Sequence, residues 1–565
     1  MKILTTPSDS SAAVTPSPVS RDQLIAQAKA ALEAKDIRKA ESLLMHALER
    51  DPRDLEALRG LAGVRDALGD EEGAIDALKR LIKRAPEPLP FIDELAAYGM
   101  PRGRLVPAIM AYERYLQSRP SDARAHYNYA WYVSKTGQFE AALRHFARAI
   151  ELGVERPEEA HLNRANLYAD SLRDDASARH ELNRALELNP RFAPALYNLG
   201  NLSEQQGDRT AAKDFFARAL ELEPTSGSAL ARLADAAEHR SHDETSQALI
   251  ERMQAAVVTQ AHPDLEMALG RALEQRGQTA DAWPHYARAN EIDRNNLPPY
   301  APARFSEAMD HIIRVCTPEW LSRLSTQETE APIFICGMFR SGSTLLEQML
   351  AAHPAFKPAG EREFFVRLVA ANMPGYPRSL DQLPPEATRT WARAYLQESR
   401  KLFGSDKRLT DKRPDNVFFL GVIKALFPKA KFLITERDWR DIAVSVYTTR
   451  LGPAANYAAD LGHIRHHIRE QRRLVDHWRT LFGEDLLTVS YESLIAQPRE
   501  TLAPVLEALG ERWDERCLDF HELRNAVRTA SVWQVRQPLN SGSVGRWQRF
   551  SAQLGKEWGD FGDTP

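Results

Sequence analysis

The sequence predicts a two-part fold, in which an all-α array of repeated helix pairs precedes an α/β domain. The first observation behind this prediction is a set of prolines that recur mostly every 33 or 34 residues between residue 21 and about residue 298. The second is the stretch 332–350, PIFICGMFRSGSTLLEQML, where an apolar run, a glycine-bearing turn and a helical pattern follow one another. Short apolar runs are typical of buried strands, and leucines at helical spacing predict a helix.

Length and composition exclude several classes of protein. The 565 residues suffice for about two to four domains, and 43% hydrophobic and 27% charged residues are typical of a soluble globular protein. A net charge of −4 provides no overall basic surface, so nucleic-acid binding is not indicated. Cys316, Cys336 and Cys517 lie far apart without a C-x-x-C motif, which argues against a disulfide framework and a zinc site.

The ends of the chain and its hydropathy give two further expectations. Residues 1–20 are rich in Ser, Thr, Pro and Ala, which predicts a disordered N-terminus. No run of about 18 apolar residues occurs, so no membrane span is predicted. Without an apolar signal region near Met1, we expect a cytoplasmic protein.

The N-terminal half is a repeat. The prolines that end its units are Pro52, Pro86, Pro120, Pro157, Pro190 and Pro224. Within units a small turn recurs, at Gly69, Gly137, Gly207 and Gly277. This period and layout resemble tetratricopeptide repeats, each of which is a helix-turn-helix.

The resemblance implies about eight helix pairs over residues 21–298, stacked into a right-handed solenoid. Such arrays bind proteins or peptides, so we expect the repeats to recruit an acceptor or partner. Residues 299–330 are predicted to form a helical connector. Because the array shows no chemical motif, we expect it to carry none of the site residues.

The turn after the apolar run predicts a phosphate-binding loop. Ile333 to Cys336 form the strand, Gly337 ends it, and Leu345 opens the helical pattern. At such a junction the first N–H groups and the dipole of the helix favour an anion, and Gly342 lets the backbone approach it. The alternative is an ordinary strand-to-helix connection.

The spacing of this loop resembles the P-loop of nucleotide triphosphatases with one change. Gly337, Gly342 and Thr344 match that motif, but Ser343 stands where the P-loop has Lys. Without that Lys the loop suits a triphosphate poorly. With Arg340 and two hydroxyls it suits a smaller anionic group.

The sequence RSGST after an apolar strand resembles the 5′-phosphosulfate loop of sulfotransferases, which use 3′-phosphoadenosine-5′-phosphosulfate (PAPS) as donor. The version here is most similar to tyrosylprotein sulfotransferases and their relatives fused to tetratricopeptide repeats. The resemblance implies a P-loop-like, three-layer α/β sulfotransferase domain with a central parallel sheet over 331–550, followed by a tail, 551–565. It also implies that the loop residues hold the phosphosulfate group: Arg340, Ser341, Gly342, Ser343 and Thr344.

Two downstream motifs carry the predicted catalytic residues. Glu361 follows Gly360 at the family's distance from Arg340, and a carboxylate there is a candidate general base. Glu363 is an alternative, since a helix that began at residue 361 would turn the two side chains to different faces. Thr-Asp-Lys412 resembles the family motif whose Lys contacts the bridging oxygen of the donor and stabilises the charge of the departing phosphate.

Further motifs imply the rest of the nucleotide site. Arg437 and Ser445 have the spacing of the family's 3′-phosphate motif, and a guanidinium suits phosphate geometry. Tyr491 matches a residue near the nucleotide. Ser531 and Arg546 fall where the family supplies adenosine and phosphate contacts, although a tail packed on the core is an alternative there.

No metal is predicted. His463, His466 and His467 share a helix face, but no third-ligand motif accompanies them.

Two functions follow as hypotheses. The first is transfer of a sulfuryl group from PAPS to a hydroxyl, on a protein tyrosine or a glycan. The second is a repeat scaffold whose α/β domain binds a nucleotide without turnover. The presence of both Glu361 and Lys412 favours the enzyme. A kinase-like reading is disfavoured by Ser343, and the sequence leaves the acceptor, which could also be a small molecule, open.

Overall fold

The fold is described from a computed structural model, which describes residues 19–237, 239, 243–404 and 406–555. The predicted disordered segment, 1–20, lies outside the described residues except for its last two positions. The predicted tail, 551–565, is described only as far as residue 555. The chain forms two compact units, one ending at Pro190 and the other beginning at Arg191.

The first unit consists of antiparallel helix pairs. Its helices are α1 (Arg21–Glu33), α2 (Ile37–Arg50), α3 (Leu55–Ala67), α4 (Glu71–Arg84), α5 (Leu89–Gly99), α6 (Val106–Ser118), α7 (Ala123–Ser134), α8 (Phe139–Glu151), α9 (Pro157–Asn166) and α10 (Asp175–Leu188). Small and apolar side chains such as Ala57, Leu58 and Phe146 are buried between them in one continuous core.

The recurring turn forms for a local reason. Gly69 takes a φ of 78°, which ends α3 in the left-handed conformation that glycine adopts readily. Asp70 then caps α4, because its carboxylate accepts a hydrogen bond of 2.9 Å from the N–H of Gly73. Gly137, Gly207 and Gly277 repeat this conformation. The predicted helix-turn-helix repeats are therefore confirmed.

The second unit begins with further helix pairs and continues into the sheet domain. Its helices before the sheet are α11 (Ala193–Gln205), α12 (Arg209–Leu222), α13 (Gly227–Ala236), α14 (Glu244–Thr259), α15 (Pro263–Gln275), α16 (Thr279–Asn296), α17 (Pro302–Val315) and α18 (Pro318–Leu324). Trp320 on α18 is buried and donates its indole N–H to the carbonyl of Leu380, which fixes this connector to the sheet domain.

The sheet domain alternates strands and helices. In order these are β1 (Ile333–Gly337), α19 (Ser343–Ala352), β2 (Phe356–Pro358), α20 (Phe364–Asn372), α21 (Pro385–Phe403), β3 (Arg408–Lys412), α22 (Leu420–Leu426), β4 (Lys431–Glu436), α23 (Trp439–Tyr447), α24 (Leu461–Phe482), β5 (Leu486–Ser490), α25 (Tyr491–Ala496), α26 (Pro498–Ala508) and α27 (Ser551–Leu554). Short turns of 3₁₀ helix cover Met100–Arg102, Arg378–Gln382, Pro414–Phe419, Pro453–Ala459, Gly483–Asp485, Glu515–Glu522 and Arg546–Phe550, and a π turn covers Leu167–Ser171.

The five strands form one parallel sheet in the order β2-β3-β1-β4-β5. The central strand β1 is buried on both faces, because Phe334 and Cys336 join the core on one side while Ile333 and Ile335 join the core on the other. Helices cover both faces, and a parallel sheet requires this. The predicted fold class, helical repeats followed by a three-layer α/β domain, is confirmed.

Within the described ranges, no helix combines the length and the apolar character that crossing a membrane would require.

Candidate functional site

The phosphate loop, residues 337–344, joins β1 to α19 in a strained conformation. Arg340 has a φ of 69°, a left-handed value that is uncommon outside glycine. Gly342 has a φ of 102°, and a Cβ atom there would lie 2.5 Å from Cδ2 of Tyr491. Glycine is therefore required at 342 both by the backbone conformation and by the close approach of the Tyr491 ring.

The start of α19 can bind an anion. Gly342 is the N-cap residue, and no side-chain oxygen caps the first N–H groups of the helix. Gly342, Ser343 and Thr344 line a cavity of ≈ 480 Å³ at the carboxyl end of β1. Unsatisfied N–H groups and the helix dipole favour a negative group at this position.

The guanidinium of Arg340 connects the phosphate loop to α23 and to the segment that contains Ser531 and Gln534. Its Nε donates to Oγ of Ser445 on α23 at 3.0 Å, and its Nη2 donates to Oε1 of Gln534 at 3.0 Å. Nη1 donates to Oγ of Ser531. Ser531 and Gln534 belong to residues 527–547, which we name the closing segment. The predicted contacts Arg340, Ser445 and Ser531 therefore meet at one point.

Arg437 follows β4 and lies beside the same loop. Its Nη1 donates to the carbonyl oxygen of Arg340 at 3.1 Å, and Nη2 donates to the carbonyl oxygen of Ser543. Its guanidinium stacks on the ring of Tyr491, 4.6 Å from the centroid. The buried Nε of Arg437 has no hydrogen-bond partner among the described residues. A buried donor without a partner is costly, so an anionic ligand would satisfy it.

The cavity has an excess of positive charge. Its lining includes the arginines Arg271, Arg340, Arg437, Arg546 and Arg549, and Glu274 is the acidic residue among the residues that line it. Burial, together with the positive charges of Arg437 and Arg546, lowers the pKa of Arg340 to about 10. Cations held this close to one another favour a ligand with more than one anionic group.

Lys412 and Glu361 form an ion pair on the other side of β1. Lys412 is the last residue of β3, pairs in register with Ile335, and is 0% exposed. Its Nζ donates to Oε1 of Glu361 at 2.6 Å. The Glu361 side chain is 28% exposed, so the pair has a buried cation and a carboxylate that solvent or a ligand can reach.

Helix α20 begins at Phe364, so residues 361 and 363 are not set apart by one helix that begins at residue 361. Glu363 is the N-cap residue and is exposed, whereas Glu361 precedes the helix and contacts Lys412. The two carboxylates are separated because Glu361 lies in the bend after Gly360, whereas Glu363 stands at the start of the helix.

A buried network holds this pair in place. Arg362 and Asp411, the chain neighbours of Glu361 and Lys412, face each other with 3.9 Å between Nη1 and Oδ2. The Arg362 guanidinium also stacks on the Tyr395 ring at 4.4 Å, and Tyr395 donates its hydroxyl to Asp411 at 3.0 Å. Burial raises the pKa of Asp411 to about 6, although the charge of Arg362 and the hydrogen bond from Tyr395 oppose the rise.

Family models agree with this architecture. A model described as the sulfotransferase family matches residues 332–515. Models for the tetratricopeptide repeat match residues 31–91 and 193–226. The chain carries a sulfotransferase domain behind tetratricopeptide repeats.

Individual proteins are similar over parts of the chain. An uncharacterised protein of Aquifex aeolicus (strain VF5) is 30% identical over 333 residues, which are 56% of this chain and 44% of that protein. Protein-tyrosine sulfotransferase 2 of Gallus gallus is 26% identical over 238 residues, which are 38% of this chain and 62% of that protein. The similar stretches thus span less than two thirds of either relative.

Among solved structures, the sulfotransferase domain of the Synechococcus PCC 7002 olefin synthase is similar at 23% identity and a TM-score of 0.32. The similar region covers 43% of this chain and 98% of the Synechococcus chain.

The predicted nucleotide-binding residues lie around one cavity with one exception. Those that line it are Arg340, Gly342, Ser343, Thr344, Arg437, Ser445, Tyr491, Ser531 and Arg546. The exception is Ser341, whose fully buried hydroxyl bonds to the Met338 carbonyl at 2.7 Å and to Thr435 Oγ1 at 2.5 Å. Its side chain holds the loop against β4.

One buried residue of the sulfotransferase domain escaped prediction. Glu347 lies on α19, and its Oε1 accepts a hydrogen bond of 3.0 Å from the N–H of Gly360, next to Glu361. The N–H of Lys412 donates to the carbonyl of Gly360 at 3.2 Å. Burial raises the pKa of Glu347 to about 7, although the positive charge of Lys412 opposes the rise. The signal in the sequence is a carboxylate inside an otherwise apolar helical pattern.

The repeats also reach the cavity, contrary to expectation. Arg271, Glu274 and Gln275 on α15 line it together with the residues of the sulfotransferase domain. Glu274 accepts hydrogen bonds from Nε and Nη2 of Arg546 at 2.7 and 2.6 Å. Arg546 was predicted to contact the nucleotide, and in the structure its guanidinium bonds to the carboxylate of Glu274 on the repeat helix α15.

His463, His466 and His467 on α24 take part in packing, and the His463 ring lies 5.2 Å from that of Tyr300. The ring of His467 stacks on Tyr457 at 3.7 Å, and His466 forms hydrogen bonds with Tyr300 and Ser306. In the described part of the chain, no group of three His, Cys, Asp or Glu residues could hold a metal ion.

Proposed function

We propose that this protein transfers a sulfuryl group from PAPS to the hydroxyl of an acceptor. The observation that carries the proposal is the order of three adjacent strands, β3-β1-β4. The phosphate loop follows β1 in the middle, the Lys412–Glu361 pair lies at the end of β3, and Arg437 and Ser445 follow β4. Ligands of open parallel sheets bind outside the carboxyl ends of the strands at such a point.

This order divides the donor and the acceptor between the two sides of β1. The loop would hold the phosphosulfate group through Arg340 and the N–H groups that begin α19. Arg437 and Ser445 would hold the 3′-phosphate, since a guanidinium beside a hydroxyl provides several donors for one phosphate. The unpartnered Nε of Arg437 and the excess of arginines support a ligand with two anionic groups. The acceptor hydroxyl would then approach from the side of Glu361.

The transfer needs one base and one stabilising cation. Glu361 takes the proton of the acceptor hydroxyl while the oxygen of that hydroxyl forms a bond to sulfur. The bond between sulfur and the bridging phosphate oxygen breaks, and adenosine 3′,5′-bisphosphate leaves with the electron pair. Lys412 stabilises the negative charge on that oxygen, as a preorganised donor does best in a buried site.

The relatives favour a tyrosine hydroxyl as the acceptor. Protein-tyrosine sulfotransferases from several animals are 25% to 27% identical over 234 to 238 residues. In this proposal the tetratricopeptide repeats recruit the protein that carries the tyrosine. A glycan hydroxyl is the competing acceptor.

Two measurements test the proposal. Calorimetric titration should give binding of adenosine 3′,5′-bisphosphate far tighter than binding of ATP, because Ser343 replaces the P-loop Lys. Mass spectrometry should then detect sulfated product when PAPS is supplied with tyrosine peptides, and not with oligosaccharides. Equal affinity for the two nucleotides would contradict the donor. Nucleotide binding without transfer to any hydroxyl would favour a non-catalytic scaffold.

A further inference from the structure

Helix α15 of the repeats presents three residues to the cavity of the sulfotransferase domain. Arg271, Glu274 and Gln275 follow the spacing i, i+3, i+4, so they share one helix face. The opposite face of α15 is buried among repeat helices through Leu265, Leu269 and other apolar residues. The helix is therefore amphipathic, and its polar face forms part of the cavity wall.

Arg271 has an unused donor on that face. Its Nε and Nη2 bond to the carboxylate of Asp235, at distances from 2.7 to 2.9 Å. Within the described residues its Nη1 has no hydrogen-bond acceptor. The side chain is about one-third exposed, so a ligand in the cavity can reach it. An ion pair that orients a guanidinium and leaves one edge free prepares it to bind an anion.

The repeat helices also hold the closing segment over the cavity. The N–H of Val527 donates to the carbonyl of Gln205 on α11 at 2.8 Å. Trp533 packs with the repeat residue Phe216. The guanidinium of Arg209 lies 4.5 Å from the centroid of the Trp533 ring. Because Ser531 and Gln534 of this segment bond to Arg340, the repeats help to position the partners of the phosphate loop.

Arg546 is held by the same repeat helix. Glu274 accepts from two of its nitrogens, and the Tyr286 hydroxyl donates to Glu274 at 2.9 Å. Arg546 Nη2 also donates to Thr448 Oγ1 at 3.0 Å, at the end of α23. The guanidinium is thus fixed between the repeats and the sulfotransferase domain by groups that are all buried or half-buried.

We propose that the last repeat helices are part of the nucleotide site, and that Arg271 is a nucleotide-binding residue. This inference rests on the proposed function, because it takes adenosine 3′,5′-bisphosphate as the ligand. The site is then completed by the repeats, and an acceptor or partner bound to these helices could alter the affinity for the donor. The ligand class is a nucleotide with two phosphate-like groups.

The test compares adenosine 3′,5′-bisphosphate binding to full-length variants by calorimetry. Replacing Arg271 alone would leave Asp235 without its partner, so the informative pair is Asp235→Asn against the double variant Asp235→Asn, Arg271→Met. The double variant should bind about tenfold more weakly than Asp235→Asn, which is the loss expected for one charge-assisted hydrogen bond. Melting temperatures of the two should be similar.

The matched control is built in the same way, as Glu204→Gln against the double variant Glu204→Gln, Arg232→Met. Arg232 pairs with the repeat residue Glu204 and has a similar exposure, 36% against 32% for Arg271, but does not line the cavity. These two variants should bind the nucleotide with the same affinity. Equal affinities of Asp235→Asn and its double variant would overturn the role of Arg271, as would an equal loss on removing Arg232 from Glu204→Gln. If the wild type itself fails to bind, the proposed function is wrong rather than this inference.

Discussion

At the scale of single residues, Glu361 and Glu363 are separated by one position but differ in surroundings. Glu361 contacts the buried Nζ of Lys412, while Glu363 is the exposed N-cap residue of α20. A general base must reach the acceptor proton, and in the proposed reaction only Glu361 contacts the cation assigned to the departing phosphate.

Glu361→Gln should therefore abolish sulfuryl transfer while leaving the affinity for adenosine 3′,5′-bisphosphate nearly unchanged, because the amide keeps the shape but cannot take the proton. Glu363→Gln serves as the control and should cost little. Both can be followed by product formation and calorimetry on the same samples. An active Glu361→Gln together with an inactive Glu363→Gln would reverse the assignment.

Lys412 and Arg437 should separate catalysis from binding. Lys412→Ala should lower kcat by about 100- to 1000-fold, as removal of one preorganised transition-state donor does. Arg437→Ala should act mainly on the affinity for the donor, since the 3′-phosphate keeps its charge during transfer. Steady-state kinetics with varied PAPS measures both effects. Unchanged donor binding in Arg437→Ala would show that the second anion lies elsewhere.

At the scale of secondary structure, α19 links the phosphate loop to the turn that carries Glu361. The link is the hydrogen bond from the N–H of Gly360 to Glu347. Strand β3 holds the same glycine from the other side, through the N–H of Lys412. The helix that follows the phosphate loop and the strand that ends at Lys412 therefore both bond to Gly360, the residue before Glu361.

The titration of Glu347 on α19 should make the free energy of unfolding depend on pH. Its pKa is raised from 4.5 to about 7 in the folded chain, so the unfolded chain loses the proton at lower pH. The free energy of unfolding should fall as the pH rises from about 4.5 to about 7, by at most about 3 kcal/mol, and stay level above. Glu347→Gln keeps the acceptor for Gly360 and removes the titration.

Thermal unfolding at several pH values measures this difference. Relative to the wild type, Glu347→Gln should become more stable as the pH rises from 5 to 8, and other titrating groups cancel in the comparison. A constant difference between the two proteins over this range would mean that Glu347 does not titrate there.

At the scale of the whole molecule, the compact unit that holds the site begins at Arg191, well before the predicted end of the repeats at residue 298. Arg450 forms ion pairs with Asp293 and Asp264 on repeat helices, at 3.0 and 3.1 Å. Asn290 donates to the carbonyl of Tyr447, whose ring stacks on Trp283 at 5.0 Å. A cut at residue 298 would therefore break these contacts, whereas a cut at residue 190 would keep them.

Two truncations should therefore behave differently. A fragment of residues 191–565 should unfold cooperatively and bind adenosine 3′,5′-bisphosphate, whereas 299–565 should lose binding because it lacks the wall formed by α15. The longer fragment should keep turnover on small acceptors and show a raised KM for protein acceptors, since the first repeats no longer concentrate them. Circular dichroism and calorimetry report folding and binding. Full binding by 299–565 would contradict the contribution of the repeats.

The sequence by itself determined the features that depend on neighbouring residues. The helix pairs follow from the proline period and the Gly-Asp turns, and the strand, loop and helix at 332–350 follow from apolar runs broken by glycine. The loop residues and Arg437 could be named because each motif is contiguous or closely spaced and resembles a motif of sulfotransferases. Backbone preferences and helix caps act within a few residues, so such patterns are readable without the fold.

Only the tertiary structure decided which distant groups share the site. Glu274 meets Arg546 across 272 positions, and Arg271 looks in the sequence like any exposed arginine of a repeat. Glu347 looks like an ordinary helical carboxylate until α19 packs against the turn at Gly360. These contacts depend on how the helices pack and on the cost of burying unpaired charges, and neither leaves a local pattern in the chain.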